Sequence, residues 1–242
     1  MPRSGKRGAR GGGRSTRLKT AKGRKLSSAR WLGRQLKDPY VAEARAKGYR
    51  SRAAFKLIEL DERFHFLAPG ARVVDLGAAP GSWSQVAVER VKAGKPGGGR
   101  VLAVDAAEMA PLEGARVLTQ DLLAEGAAAA LRAALGGPAD VVLSDMAAAA
   151  TGHRPTDQMR STALAEAAFE VAAELLAEGG ALVAKVLQSG AEGELAALLK
   201  RRFEIVRHVK PAASRRQSAE TYLVALGYRG AAPALEKAME KD

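Results

Sequence analysis

ARVVDLGAAPGSW (71–83) is an apolar run that ends on Asp75 and turns through Gly77 and Gly81. A strand that runs into a glycine-rich turn and then a helix is the opening unit of an α/β sheet. Two further apolar runs end in a similar way. ADVVLSD (139–145) delivers Asp145, and GGALVAKV (179–186) delivers Lys185. Ligands of an open parallel sheet sit outside the carboxyl ends of its strands. These charged residues, far apart in sequence, are therefore expected to gather at one place.

Working outward, apolar runs predict strands near 71–76, 100–105, 115–119, 140–144, 180–186, 203–209 and 220–227. Helical periodicity predicts helices near 83–92, 122–135, 157–177 and 191–201, and an amphipathic one from Ser51 to about Phe66. The apolar face of that first helix is marked by Ala54, Leu57, Ile58 and Leu60. Residues 38–49 read as a short connection. The alternation predicts an α/β fold, a seven-stranded and mostly parallel sheet with helices on both faces. The last two strands are joined by KPAASRRQSAE (210–220) with no helix between them, which predicts an antiparallel final strand.

The chain of 242 residues has no cysteine, which excludes disulfides, thiolate catalysis and cysteine-ligated zinc. Its three histidines show no metal-ligand spacing, so no metal is expected. No apolar run approaches the roughly 20 residues of a membrane span. The net charge of +13 is unevenly placed: 13 of the 39 Lys and Arg lie in residues 1–37, before the first acid, Asp38. That leaves 26 bases against 26 acids in the rest. Residues 1–37 thus read as a basic tail, disordered when free and suited to neutralising phosphates. Residues 38–230 form one domain and 231–242 an extension. An Arg-rich, acid-poor start also resembles an organelle transit peptide, but without the apolar core of a secretory signal the expected location is cytoplasmic.

The turn after the first strand is neither the dinucleotide G-x-G-x-x-G nor a Walker loop. The next strand ends on Asp105, placed to accept hydrogen bonds from ribose hydroxyls, and Asp121 follows the third strand, within reach of an adenine amine. Acids without a phosphate cradle suit S-adenosylmethionine, which is cationic at sulfur and carries no phosphate. Helix capping is the competing role for Asp75, Asp105 and Asp121. Lys185 lies in an otherwise apolar strand, and an unpaired buried ammonium is costly. It therefore calls for acidic partners, and Asp145 and Glu220 are best placed. Lys56 projects from the first helix among apolar neighbours.

DLGAAPGSWSQ, LSDMA, TGH, LVAKV and SAETYLVA, with YRSRAAFKLIEL upstream, closely resemble the FtsJ/RrmJ-type ribose 2′-O-methyltransferases over roughly residues 38–228. The resemblance implies a Rossmann-like class I methyltransferase that uses S-adenosylmethionine. Carried over residue by residue, Lys56, Asp145, Lys185 and Glu220 match the family's catalytic tetrad. Gly81, Trp83, Asp105, Asp121 and Asp145 match its cofactor contacts. Members of this size without an attached RNA-binding domain resemble the enzyme that methylates a uridine in the A loop of 23S rRNA, within the large ribosomal subunit. A monomer is expected. The chain departs from the pattern after Asp145, where Ala148 and Ala149 replace the usual Pro and Asn.

On this reading Lys185 lies nearest the 2′-hydroxyl, as general base if neutral or oxyanion stabiliser if charged. Asp145 and Glu220 orient it, and Lys56 holds the nucleotide. Arg45, Lys47, Arg50, Arg52, Lys210, Arg215 and Arg216 flank these positions in sequence and are candidate RNA-phosphate contacts. The rival readings are the same chemistry on tRNA or another RNA, and a non-catalytic RNA-binding ribosome-assembly factor with the same fold.

Overall fold

The computed structural model describes residues 38–230 except 123, 149–150, 189–191 and 216. The tail, the C-terminal extension, Ala149 and Arg216 lie outside the described residues. Seven strands form one sheet: β1 (Arg72–Leu76), β2 (Arg100–Asp105), β3 (Ala115–Thr119), β4 (Ala139–Ser144), β5 (Leu176–Leu187), β6 (Phe203–Val209) and β7 (Glu220–Tyr228). Their order is β3-β2-β1-β4-β5-β7-β6. All the pairings are parallel except those of β7, which runs antiparallel to β5 on one side and to β6 on the other. The order reverses between β1 and β4, and a crevice opens above their carboxyl ends.

Successive strand residues point to opposite faces, and both faces are covered. Val74, Leu102, Val142 and Leu182 pack against α4 (Ala127–Leu135), α5 (Arg154–Leu175) and α6 (Glu192–Arg202). Val73, Val101, Val141 and Val183 pack against α2 (Ala54–Phe64) and α3 (Ser82–Val91). In α2 the predicted stripe is buried at Ala54, Leu57 and Leu60. The helix ends where His65 enters the left-handed region, φ 54°, with its N–H bonded to the Asp61 carbonyl.

Three boundaries differ from the sequence reading. The expected connection before Ser51 contains a helix, α1 (Pro39–Ala46), capped by the Asp38 carboxylate, which accepts the Tyr40 N–H at 3.2 Å. The expected helix from 122 starts only at Ala127, after Gly126 at φ 75°. β5 begins at Leu176 rather than near 180 and takes in residues expected to end the preceding helix.

Candidate active site

Gly77 follows β1 directly, with φ 70°, and a Cβ there would sit 2.5 Å from the Met146 Cγ. Only glycine lets the β1 turn and the segment after β4 approach so closely. The cleft beside it has a volume of about 330 Å³ and is lined by Gly77, Ala79, Asp105, Gln120, Asp121, Asp145, Met146 and Leu164, among others. Asp105 accepts the N–H groups of Ala79 at 2.9 Å and Ala107 at 2.8 Å. A carboxylate has about four lone-pair sites, so acceptor capacity remains for a ligand hydroxyl.

Asp75 is wholly interior. Ser84 Oγ donates to its Oδ2 at 2.6 Å, while Oδ1 accepts no hydrogen bond. Burial, partly offset by the Ser84 bond and reinforced by the Asp145 charge, pushes its carboxyl up to about 7. Asp75 ties β1 to α3 and does not line the cleft. Trp83 likewise turns its side chain away from the cleft. It is the second residue of α3, with its ring packed among the residues of the sheet, 2% exposed. Its Nε1 donates to the Ala53 carbonyl at 2.9 Å and its ring packs 5.5 Å from that of Tyr222. Gly81 forms the N-cap of α3 at φ 107°, close beneath Arg50.

Lys185 and Asp145 meet at the cleft's edge. Lys185 Nζ donates to the Asp145 carbonyl at 2.5 Å and lies 3.1 Å from its Oδ1. Asp145 thus lines the cleft and holds the lysine. The second acid takes a different partner from the one expected: Glu220 pairs with Lys56, Oε1 to Nζ 2.6 Å, and accepts Ser214 Oγ at 3.0 Å. Burial raises the Glu220 carboxyl, but Lys56, Lys185 and the Ser214 bond outweigh it and hold it below the usual carboxylate range.

Tyr222, which the sequence reading missed, connects the two pairs. It lies opposite Lys185 across the β5–β7 ladder. Its hydroxyl donates to Asp145 Oδ1 at 2.9 Å, and Lys56 Nζ lies 5.8 Å from its ring. Burial, with the charges of Asp145 and Glu220, pushes its phenol well above the ordinary range. The signal was present in SAETYLVA: Glu220 and Tyr222 are two apart on a strand and share a face.

The basic candidates divide. A second, polar pocket of about 290 Å³ is lined by Arg52, Lys56, Arg215, Ser51, Ala53, Ser218 and Glu220. Arg52 pairs with Asp38 at 2.7 Å and donates to the Ala213 carbonyl, and Arg215 lies 3.5 Å from Asp38. Lys210 donates to the Ser218 carbonyl. Arg45 is exposed on α1, and Lys47, just past its end, pairs with Glu43 at 2.9 Å. Arg50 instead donates to three main-chain carbonyls beside the cleft.

Residues 49–228 match the FtsJ-like methyltransferase family. The ribosomal RNA large subunit methyltransferase E of Paramagnetospirillum magneticum is 61% identical over 226 residues, covering 92% of this chain and 93% of that one. Its namesake from Rhodospirillum rubrum is 57% identical over 214 residues, 88% of this chain and 81% of the other. Among solved structures, a putative ribosomal RNA methyltransferase from Plasmodium falciparum superposes with a TM-score of 0.67 at 29% identity, over 75% of this chain and all of that one. With its sheet, its cleft and its relatives in agreement, the chain belongs to the FtsJ-like methyltransferase family and is an enzyme.

Proposed function

We propose that the enzyme transfers a methyl group from S-adenosylmethionine to a ribose 2′-hydroxyl of large-subunit ribosomal RNA, a uridine of the 23S A loop. The observation that carries this reading is the Lys185–Asp145 contact at the edge of the cleft, flanked by the Lys56–Glu220 pair. The naming of the curated relatives supports ribosomal RNA as the substrate.

The donor set fits S-adenosylmethionine. Acids rather than a phosphate cradle line the cleft, and its volume lies at the lower end of the roughly 300–1,000 Å³ of small-molecule sites. Asp105 would hold the ribose hydroxyls, Asp121 the adenine amine, and Asp145 would face the cationic end. When bound, this cofactor supplies an activated methyl on a sulfonium that leaves readily.

The protein then has two tasks. One is to align the 2′-oxygen with the methyl carbon, which is worth several kcal/mol of barrier (about 7–11 at best). The other is to manage the charge on that oxygen. Lys185 has two of its donor directions fixed by Asp145, and a third is left for the 2′-oxygen. As an ammonium it stabilises the oxyanion as it develops; as a neutral amine it takes the proton. Lys56, with Arg52 and Arg215 around the second pocket, holds the nucleotide and its phosphates.

Methyl transfer from labelled S-adenosylmethionine to undermethylated large subunits, naked rRNA and tRNA, followed by mapping of the modified ribose, tests the proposal. We expect one 2′-O-methyl in the A loop. Lys185→Ala should lose at least about 10²-fold in kcat with cofactor binding largely intact. Normal turnover by that variant, or methylation confined to tRNA, overturns the assignment.

A further inference from the structure

The strap 48–53, which leads from α1 into α2, is stitched to the cofactor side of the molecule. Arg50 Nη1 donates to the carbonyls of Pro80 at 2.8 Å and Ala110 at 2.9 Å, and Nη2 to that of Pro111 at 2.5 Å. Its own backbone N–H is taken by Gln85 Oε1 at 2.8 Å. Pro80 belongs to the turn after β1, and Ala110 and Pro111 to the loop after β2. The same turn supplies Gly77 and Ala79 to one wall of the cleft, and the end of β2 with the start of that loop supplies Asp105 and Ala106 to the other. The guanidinium rests on bare main chain, because a Cβ on Gly81 would lie 2.6 Å from Nη1.

We propose that Arg50 is a positioning residue for the cofactor cleft and not a ligand of RNA phosphate. This rests on the reading of that cleft as the S-adenosylmethionine site. A guanidinium presents its donors in a rigid planar fork, and this one spends three hydrogen bonds on two loops that flank one ligand. A phosphate that captured the fork would leave those carbonyls without their donor, which works against the exchange. Asp105 ties the two walls from within, through the N–H groups of Ala79 and Ala107. Arg50 ties them further out, at Pro80 and at Ala110 and Pro111. Without it Asp105 still joins the walls at their inner edge, but their outer parts lose the tie that sets their separation. The strap also carries the Ser51–Ser82 hydroxyl contact at 2.7 Å and runs into α2, which bears Lys56. The nucleotide side and the cofactor side thus share one brace.

The test uses the full chain with Arg50→Ala and Arg50→Lys. Binding of S-adenosylmethionine and S-adenosylhomocysteine is measured by calorimetry, and binding of an A-loop rRNA fragment is measured at several salt concentrations. Arg50→Ala should weaken both cofactor forms about tenfold or more, with the kinetic loss in cofactor KM rather than in kcat and with RNA affinity and salt slope unchanged. Arg50→Lys keeps the charge, yet one ammonium does not span three carbonyls, so a weakening of several-fold is expected for cofactor alone. It decides the matter if the alanine variant fails to fold. Normal cofactor affinity with weaker RNA binding and a flatter salt slope overturns the inference, as does an equal loss for both ligands. A wild-type protein that binds neither cofactor form removes the cofactor reading itself, and this inference with it.

Discussion

Lys185 and Asp75 are both ionisable residues inside apolar strands, and their surroundings treat them in opposite ways. Lys185 is 9% exposed but has Asp145 against it. Asp75 has one hydroxyl on one oxygen and nothing on the other, so burial keeps it protonated up to about pH 7. Between its unfolded value of 3.8 and about 7, the folded chain holds a proton that the unfolded chain releases. Its contribution to stability is therefore complete below the lower value, falls as pH rises, and is gone above the higher one. Asp75→Asn cannot ionise. Melting curves should show the variant gaining on the parent by about 2 kcal/mol between pH 5 and pH 8, roughly 5 °C. Glu220, with its carboxyl held low, acts below this window and equally in both proteins. Parallel pH profiles would assign the ionisation elsewhere. The positions of Asp75, Asp145 and Lys185 were legible because an apolar run stops or is interrupted at each. Their partners were not: which acid meets which lysine depends on register across β5 and β7, and that is set by pairing distant in sequence.

At the scale of elements, α1 is the part the sequence concealed. Among its residues only Ala44 is buried, so no apolar stripe announces it. It is docked by rings and charge instead: Tyr40 against Phe55 with centroids 5.4 Å apart, and Asp38 against Arg52 and Arg215. Arg52 reaches on to the Ala213 carbonyl, and Glu59 accepts the Ala213 N–H at 3.0 Å. The helix, α2 and the loop between β6 and β7 therefore form one clamp, and Ser214 in that loop sets Glu220. Arg52 and Asp38 are 14% and 10% exposed, and removing one member of such a pair strands the other. Arg52→Ala should cost about 3 kcal/mol, a fall of roughly 10 °C in Tm. The exposed Arg45→Ala should stay within about 0.5 kcal/mol of the parent. Equal melting temperatures for the two variants would mean that the clamp contributes nothing. The alternating strands and helices were legible throughout, as was the antiparallel sense of β7. Its insertion between β5 and β6 was not, because a helix-free connection suggests adjacency to β6 and says nothing of the other neighbour.

For the whole molecule, the decisive asymmetry is one of charge. With 26 bases balanced by 26 acids after residue 37, the body offers RNA local basic residues and no net attraction. Several of those bases are engaged within the protein: Arg50 on carbonyls, Arg52 on Asp38, Lys56 on Glu220. The 13 Lys and Arg of residues 1–37 face no acid of their own segment. We therefore assign most of the long-range affinity for RNA to that segment, and nucleotide placement to the body. Each phosphate a cation neutralises adds about 0.7–0.9 to the slope of log affinity against log salt. Deleting residues 1–37 should flatten that slope by several units and weaken rRNA binding steeply at low salt. The two proteins should converge as salt rises, because screening removes what the deletion removes. Cofactor affinity should not change, and kcat at saturating RNA should fall little. Filter binding of the rRNA fragment across a salt series, with calorimetry for the cofactor, separates the outcomes. An unchanged slope would return the RNA footprint to the body, to Lys56, Arg215 and Lys210.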